Sequence, residues 1–328
     1  MRLERFLFVR TDRLGETLLT LPAISALKRI LPKAHLTFLA HPDLVSLLAR
    51  LPGIDAAIPY PPGARTGWIV RAVRTAGWLR SQRYHAALVA NPMKELHLAV
   101  WLAGIPRRVG YDRKWGSLLT DRLSEEKALG ERHEVEYNLD LVRTLGIPAS
   151  LVPLRVPAFE AEQALVFQQL SQQGVKSAEP FLAVHPWSSN PIKLWPMDRY
   201  TALVRALLER FGCQVVLIGG REFQEPAARH FPPAPRLANV VGQLRLEELT
   251  GLLQRARALV SNDSGPMHLA ALVGTPTVAL FGTPDPATGP KRWGPWGDGH
   301  TVIWKSSMAD IDLEDVLTAL ERRVGSRR

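Results

Sequence analysis

Val260-Ser-Asn-Asp-Ser-Gly-Pro-Met-His-Leu-Ala-Ala-Leu-Val-Gly-Thr-Pro-Thr-Val-Ala-Leu-Phe-Gly-Thr-Pro-Asp-Pro286 reads as strand, polar turn, helix, tight turn, strand and a second polar turn. Ala258 to Val260 close an apolar run suited to a buried strand. Asn262, Asp263 and Ser264 are residues whose short side-chain oxygens cap helices by accepting a bond from a first-turn N–H. Pro266 sits where its missing N–H costs nothing. Met267 to Val273 carry the helix, Gly274 ends it, and Thr277 to Phe281 form the next buried strand. Such a turn, following a parallel strand, presents unpaired N–H groups and the positive end of the helix dipole, which together suit an anion. A well-capped but ordinary turn would explain the cap alone. Asp263, Ser264, Gly265 and His268 in one turn, with a second polar turn at 282–286, ask for more.

Outward from this stretch the same alternation recurs. Strands are predicted at Phe6–Val9, His35–Ala40, Ala56–Ile58, Ala86–Ala90 and Arg107–Tyr111, with helices between them. One of these, over 16–30, contains Pro22, which must kink or restart it. Another, 68–83, is basic and amphipathic: Trp78 and Leu79 are expected toward the core, and Arg71, Arg74, Arg80 and Arg83 on or beside the exposed face. The segment 113–131 has the least regular pattern and suits an acceptor-contacting loop. Three prolines in Ile147-Pro-Ala-Ser-Leu-Val-Pro-Leu-Arg-Val-Pro157 mark a linker. The alternation then restarts with strands at Phe181–His185, Val215–Gly219 and Asn239–Val241. Two α/β halves are expected, residues 1–155 and 156–328, each a parallel sheet with helices. The final helix, about 310–322, is free to pack back on the first half. Ligands in such folds bind at the carboxyl ends of the strands.

The chain has 328 residues, 46% of them hydrophobic, enough to bury a sizeable core, and a disordered chain is not expected. The single cysteine, Cys213, precedes the apolar run Gln214-Val-Val-Leu-Ile218; it excludes a disulfide framework and reads as a buried thiol. No secretory leader and no apolar run of about 20 residues is recognisable, so a cytoplasmic protein is expected, at most peripheral to a membrane. The net charge of +10 favours acidic partners, either phosphorylated substrates or an anionic membrane surface. The basic residues are dispersed and match no nucleic-acid module, so nucleic acid is not expected as a partner.

Three turns in the second half can carry phosphate or nucleotide chemistry. His185-Pro-Trp-Ser-Ser-Asn-Pro-Ile-Lys-Leu-Trp-Pro196 offers Ser188, Ser189 and Asn190 as donors and Lys193 as a cation. Gly219-Gly-Arg-Glu222 allows close backbone approach, with Glu222 or Glu225 for a ribose hydroxyl. The third turn runs from Ser261 to His268. No turn matches a dinucleotide fingerprint or a P-loop. In the first half, the loop Arg10-Thr-Asp-Arg-Leu-Gly-Glu16 follows the first strand. Glu16 opens a helix, where a carboxylate is stabilised as an anion; in a site the same group can take a proton from a hydroxyl. Asp12 is an equal candidate.

Together these segments resemble glycosyltransferase family 9, the ADP-heptose:lipopolysaccharide heptosyltransferases. The resemblance runs nearly end to end. It rests on Arg10-Thr-Asp-Arg-Leu-Gly-Glu-Thr-Leu-Leu-Thr-Leu-Pro22, His133 with Tyr137-Asn138-Leu139, Lys193-Leu-Trp-Pro196, Asn262-Asp-Ser-Gly-Pro-Met-His268 and Phe281-Gly-Thr-Pro-Asp-Pro286. It implies a GT-B fold, two Rossmann-like domains with the active site between them. It also implies metal-free, inverting transfer of a heptose from ADP-L-glycero-D-manno-heptose to a lipid A-core acceptor, with no cofactor. By position it makes Glu16 the base, where the family usually has Asp, with Asp12 as the fallback. Lys193, Ser188 and Ser189 would meet the diphosphate, Asp263 would bind the sugar, and Ser264, Gly265, Met267 and His268 would form the phosphate turn. Glu222 resembles the ribose-binding acid, and Arg10, Thr11 and Arg13 fall on the acceptor side. Transfer from another nucleotide sugar, and nucleotide binding without catalysis, are the competing expectations.

Overall fold

The computed structural model describes residues 4–60, 67–176 and 179–324. The chain divides into two units between Val156 and Pro157, inside the proline-rich segment. The first unit contains β1 (Arg5–Arg10), α1 (Leu14–Leu18), α2 (Leu21–Ile30), β2 (His35–Ala40), α3 (Val45–Leu48), β3 (Ala56–Pro59), α4 (Trp68–Ser81), β4 (Ala86–Val89), α5 (Lys94–Leu102), β5 (Arg107–Tyr111), β6 (Asp121–Leu123) and α6 (Glu134–Arg143). The second contains α7 (Glu160–Gln172), β7 (Phe181–His185), α8 (Met197–Glu209), β8 (Gln214–Leu217), α9 (Gln224–His230), β9 (Leu237–Asn239), α10 (Leu246–Arg255), β10 (Ala258–Asn262), α11 (Gly265–Leu272), β11 (Thr277–Gly282), α12 (Pro290–Trp293), β12 (Thr301–Lys305) and α13 (Leu313–Val324).

Both sheets are parallel, ordered β3-β2-β1-β4-β5-β6 and β12-β11-β10-β7-β8-β9. Counted from each unit's own first strand, the two orders are the same, the doubly wound 3-2-1-4-5-6. The connections reverse direction between β1 and β4 in the first unit and between β7 and β10 in the second. At that point neighbouring loops diverge and leave a crevice outside the carboxyl ends of the strands. Burial on both faces explains the near-continuous apolar strands: Phe6 to Val9, Leu182 to Val184 and Ala258 to Val260 are all buried.

Pro22 restarts the first helix rather than kinking it. α1 stops at Leu18, and α2 begins with Pro22 in its first turn, where no N–H is needed. The break frees the Leu19 carbonyl, which accepts a bond from Asn138 Nδ2 at 3.1 Å. α13 packs on α8 and the second sheet, and its Val316, Leu317 and Leu320 join that unit's core. The sequence had allowed it to lie on the first half.

Two strands were not predicted. β6 has three residues and little apolar content; it is held at the sheet edge by the two-pronged pair of Arg107 with Asp121, both bonds 2.9 Å. β12 is an edge strand whose Val302 and Trp304 face solvent. The largest correction concerns α4. Leu79 is buried as expected, but Trp78 is 41% exposed, and Arg71 turns inward to Glu95. Cys213 is half-buried beside β8.

Candidate active site

The crevice of the second unit is built from the loop after β7 and the turn between β10 and α11. Asn262, expected as a helix cap, holds these two segments together instead. Its Oδ1 accepts from the Tyr200 hydroxyl at 2.9 Å and from the Trp195 N–H at 3.3 Å, and its Nδ2 donates to the Trp187 carbonyl at 3.5 Å. All three partners belong to the β7–α8 region. Fixing that loop carries Lys193 to the turn, where its ammonium forms an ion pair and hydrogen bond with the Asp263 carboxylate. Asp263 is almost fully buried while Lys193 is one-third exposed. Burial pushes the Asp263 carboxyl above its usual range, and Lys193 offsets only part of that rise. His268 Nε2 lies 3.9 Å from the other Asp263 oxygen.

Ser264 stands at the cap position of α11, yet its side chain makes no cap bond. Its hydroxyl instead contacts Ser261 Oγ at 2.9 Å and His185 Nδ1 at 3.2 Å. Burial drives the His185 pKa down to about 3, so the imidazole is neutral and this cluster adds no charge. The N–H groups at the start of α11 are therefore not covered by the expected Asn262, Asp263 or Ser264 side chains. That leaves the start suited to an anion. Among them, the His268 N–H reaches back to the Ser264 carbonyl at 3.4 Å. The Met267 side chain is fully buried against Phe281, so only its backbone can serve a ligand.

A cavity of about 250 Å³ opens here, lined among others by Lys193, Asp263, Gly282, Thr283, Asp285 and Thr288. This falls below the roughly 300–1,000 Å³ of pockets that enclose a whole drug-sized ligand, so it encloses only part of a ligand of that size. Thr283, Asp285 and Thr288 come from the turn after β11. Only the position of that turn was singled out in the sequence, beside the Asp-Ser-Gly turn, and not these side chains.

Ser188, Ser189 and Glu222 are not among the residues lining this cavity. Ser188 Oγ accepts from the Asn190 N–H at 3.2 Å, and Ser189 is exposed. The Gly219-Gly220 turn has a packing reason as well. A Cβ on Gly219 would strike the Trp187 ring, and one on Gly220 would strike the Glu222 carboxylate. Trp187 in turn stacks on Phe223, with ring centroids 5.1 Å apart.

The first unit's crevice gathers carboxylates. Arg10, at the end of β1, is buried. Its Nε donates to Asp12 Oδ1 at 2.8 Å and its Nη1 to Glu134 Oε1 at 3.1 Å. Lys127 Nζ donates to the same Glu134 oxygen at 2.6 Å. Burial disfavours the Arg10 charge, but Asp12 and Glu134 more than offset that and hold it charged. Arg10 is thus engaged in supporting Asp12 and Glu134, not displayed as an open cation for an acceptor. Thr11 Oγ1 accepts from Asn91 Nδ2 at 3.1 Å across the reversal point, and Arg13 is exposed. Glu16 lies in the first turn of α1, partly buried. Burial, and next the neighbouring Asp12 charge, push its carboxyl above the usual range. Glu134 and Lys127 escaped the sequence reading. The available signal was an acid directly after His133, the residue that caps α6.

The sequence profile of glycosyltransferase family 9 (heptosyltransferase) matches residues 72–319. The chain belongs to glycosyltransferase family 9. It is 28% identical to lipopolysaccharide heptosyltransferase 2 of Escherichia coli strain K12, covering 86% of this chain and 84% of that one. The solved structure of the E. coli ADP-heptose lipopolysaccharide heptosyltransferase II superposes with a TM-score of 0.80 at 25% identity, over 98% of each chain. A family 9 glycosyltransferase from Veillonella parvula superposes at 0.86 and 22% identity, over 99% of this chain and 98% of that one. This member of family 9 is therefore a glycosyltransferase enzyme with the GT-B fold, whose two Rossmann-like units are those described above.

Proposed function

We propose that this family 9 enzyme transfers a heptose from ADP-L-glycero-D-manno-heptose to a sugar of the lipopolysaccharide inner core, with inversion and without a metal ion. The carrying observation is the Lys193–Asp263 pair beside the start of α11. A nucleoside diphosphate leaves only if its growing negative charge is met. Lys193 and the α11 N–H groups of Gly265 and Met267 are preorganised positive groups for that purpose, whereas the His268 N–H already donates to the Ser264 carbonyl. Ser188 and Ser189 add hydroxyl donors from the same loop, and Glu222 takes a ribose hydroxyl. Asp263 accepts from sugar hydroxyls, a role suited to a buried carboxyl group held in place by Lys193. The names of the relatives support heptose and the lipopolysaccharide core.

The base is assigned to Glu16. The family profile begins after this loop, so the assignment rests on the first unit's chemistry. Asp12 is held by Arg10, whereas Glu16 has its basicity raised by burial and by Asp12. In the reaction the Glu16 carboxylate takes the proton from the acceptor hydroxyl. The oxygen forms its bond to the anomeric carbon opposite the leaving group, and the carbon–oxygen bond to the diphosphate breaks with its electron pair going to ADP. Thr11 and Arg13 are placed on the acceptor side. The protein works in the cytoplasm on a membrane-borne acceptor.

The test is a donor and acceptor trial followed by mass spectrometry. ADP-heptose should be used and UDP- and GDP-sugars not, with the product one heptose heavier. Transfer from a different nucleotide sugar would replace heptose in this reading. Nucleotide binding without turnover on any core acceptor would overturn it.

A further inference from the structure

We propose that the solvent face of α4 docks on the surface of an anionic phospholipid bilayer. This goes beyond the transfer reaction and does not depend on which sugar moves. The face is one that a soluble helix ordinarily avoids. Ile69 and Val73 are each 53% exposed and Val70 45%. They share the outward side of the helix with Arg74 and Arg80, while Ala72, Thr75, Ala76 and Leu79 point inward. Contiguous exposed apolar surface on a monomer marks a contact site.

Trp115 is a second exposed aromatic, near the start of α4 and beside Trp68 rather than on the row of Ile69 and Val73. It is 49% exposed and meets Trp68 edge-on, with ring centroids 5.2 Å apart. Lys94 Nζ sits 4.3 Å from the centre of the Trp68 ring. Lys114 and Trp115 both hold left-handed backbone, with φ of 43° and 69°. That conformation is costly for residues with side chains and persists only where the surroundings impose it. Here His97, kept neutral by burial, bonds the Lys114 carbonyl at 3.1 Å. The strained turn thus displays an indole rather than hiding it.

Charge selects the occupant. α4 contains no Asp or Glu. The one acid of α5, Glu95, is buried and paired with Arg71 at 2.6 Å. Arg74, Arg80 and Arg83 remain exposed. Branched aliphatics and tryptophans among arginines are what an interfacial helix presents to anionic lipid, with apolar groups at the acyl boundary and cations at the headgroups. A second copy would set one row of arginines against another, which is repulsive. An apolar cavity of about 410 Å³ beside Arg74 and Trp78 gives room for part of an acyl chain. Among the described residues no helix is long and apolar enough to cross a membrane, so the contact lies at the surface.

The experiment is co-sedimentation of the full chain with vesicles of phosphatidylethanolamine and phosphatidylglycerol, against phosphatidylcholine vesicles. Binding should need the anionic lipid and weaken with salt. Arg74→Gln with Arg83→Gln should lower partitioning about fivefold per arginine, and Ile69→Ser with Val73→Ser about tenfold or more. All four positions are exposed, so thermal melting should be unchanged, as should transfer to an acceptor in detergent. That last measurement separates a failure here from a failure of the heptose reading. Equal sedimentation with both vesicle types, no sedimentation, or variants that bind like the parent would overturn the proposal. A concentration-dependent dimer lost in the Ile69/Val73 variant, without vesicle binding, would assign the face to a second copy.

Discussion

The two crevices have one topology and opposite electrostatics. Each opens where β1 meets β4, or β7 meets β10, in sheets of identical strand order. In the first unit the crevice collects three carboxylates, Asp12, Glu16 and Glu134, and answers them with buried Arg10 and Lys127. In the second, a half-buried ammonium, Lys193, and a helix start surround one buried carboxylate, Asp263. The fold supplies a place for a ligand, and the residues on two loops decide whether that place holds a proton acceptor or an anion. An excess of acid raises a carboxyl's affinity for protons, as at Glu16. An excess of donors prepares a site for a leaving diphosphate.

The sharpest way to break this comparison is to neutralise each crevice in turn. Glu16→Gln keeps the shape and removes the proton acceptor, so turnover should fall by about 10²–10⁴-fold with donor affinity retained by calorimetry. Near-normal turnover would move the base to Asp12. Glu134→Gln should act on stability instead. It leaves Arg10 and Lys127 buried with one fewer countercharge, a loss of about 3–5 kcal/mol when a buried pair is broken, read from denaturant unfolding. Lys193→Ala should lower kcat by about 10²–10³-fold, the range for removing one preorganised donor. It also strands the nearly buried Asp263 carboxyl without its partner, so the unfolding midpoint should fall as well.

Much of this contrast was legible in the sequence, for physical reasons. Apolar runs that must be buried on both faces announce parallel strands, so β2 and β7 were placed to the residue. Lys193 and Asp263 stood out as charged groups in turns after strands, whereas Glu16 shared its place with Asp12 because a helix-start acid has a structural role of its own. What stayed hidden depends on tertiary partners. Asn262 looked like a cap and is a latch, because only the folded chain brings Tyr200 and Trp195 to it. Glu134 and Lys127 are far from Arg10 in sequence and meet it only through α6. Trp78 was placed in the core because an aromatic on an amphipathic helix is usually buried; the structure leaves it outside, with Arg74 on the same face.

The smallest expected effect tests the coupling within the acidic crevice. Glu16 has a carboxyl raised first by burial and then by Asp12. Turnover therefore rises with pH as Glu16 deprotonates. Asp12→Asn removes one of the two causes and should slide that rising limb to lower pH, leaving the burial contribution in place. Stability carries the opposite sign. A carboxyl whose folded pKa lies above its unfolded one favours folding at low pH, and that advantage is lost as pH rises through the folded value. Glu16→Gln has no such loss. Its melting temperature should exceed the parent's in neutral buffer, with the difference shrinking in acid. If the parent is instead the more stable at neutral pH, the Glu16 carboxylate is well compensated in the folded chain and its raised basicity is wrong.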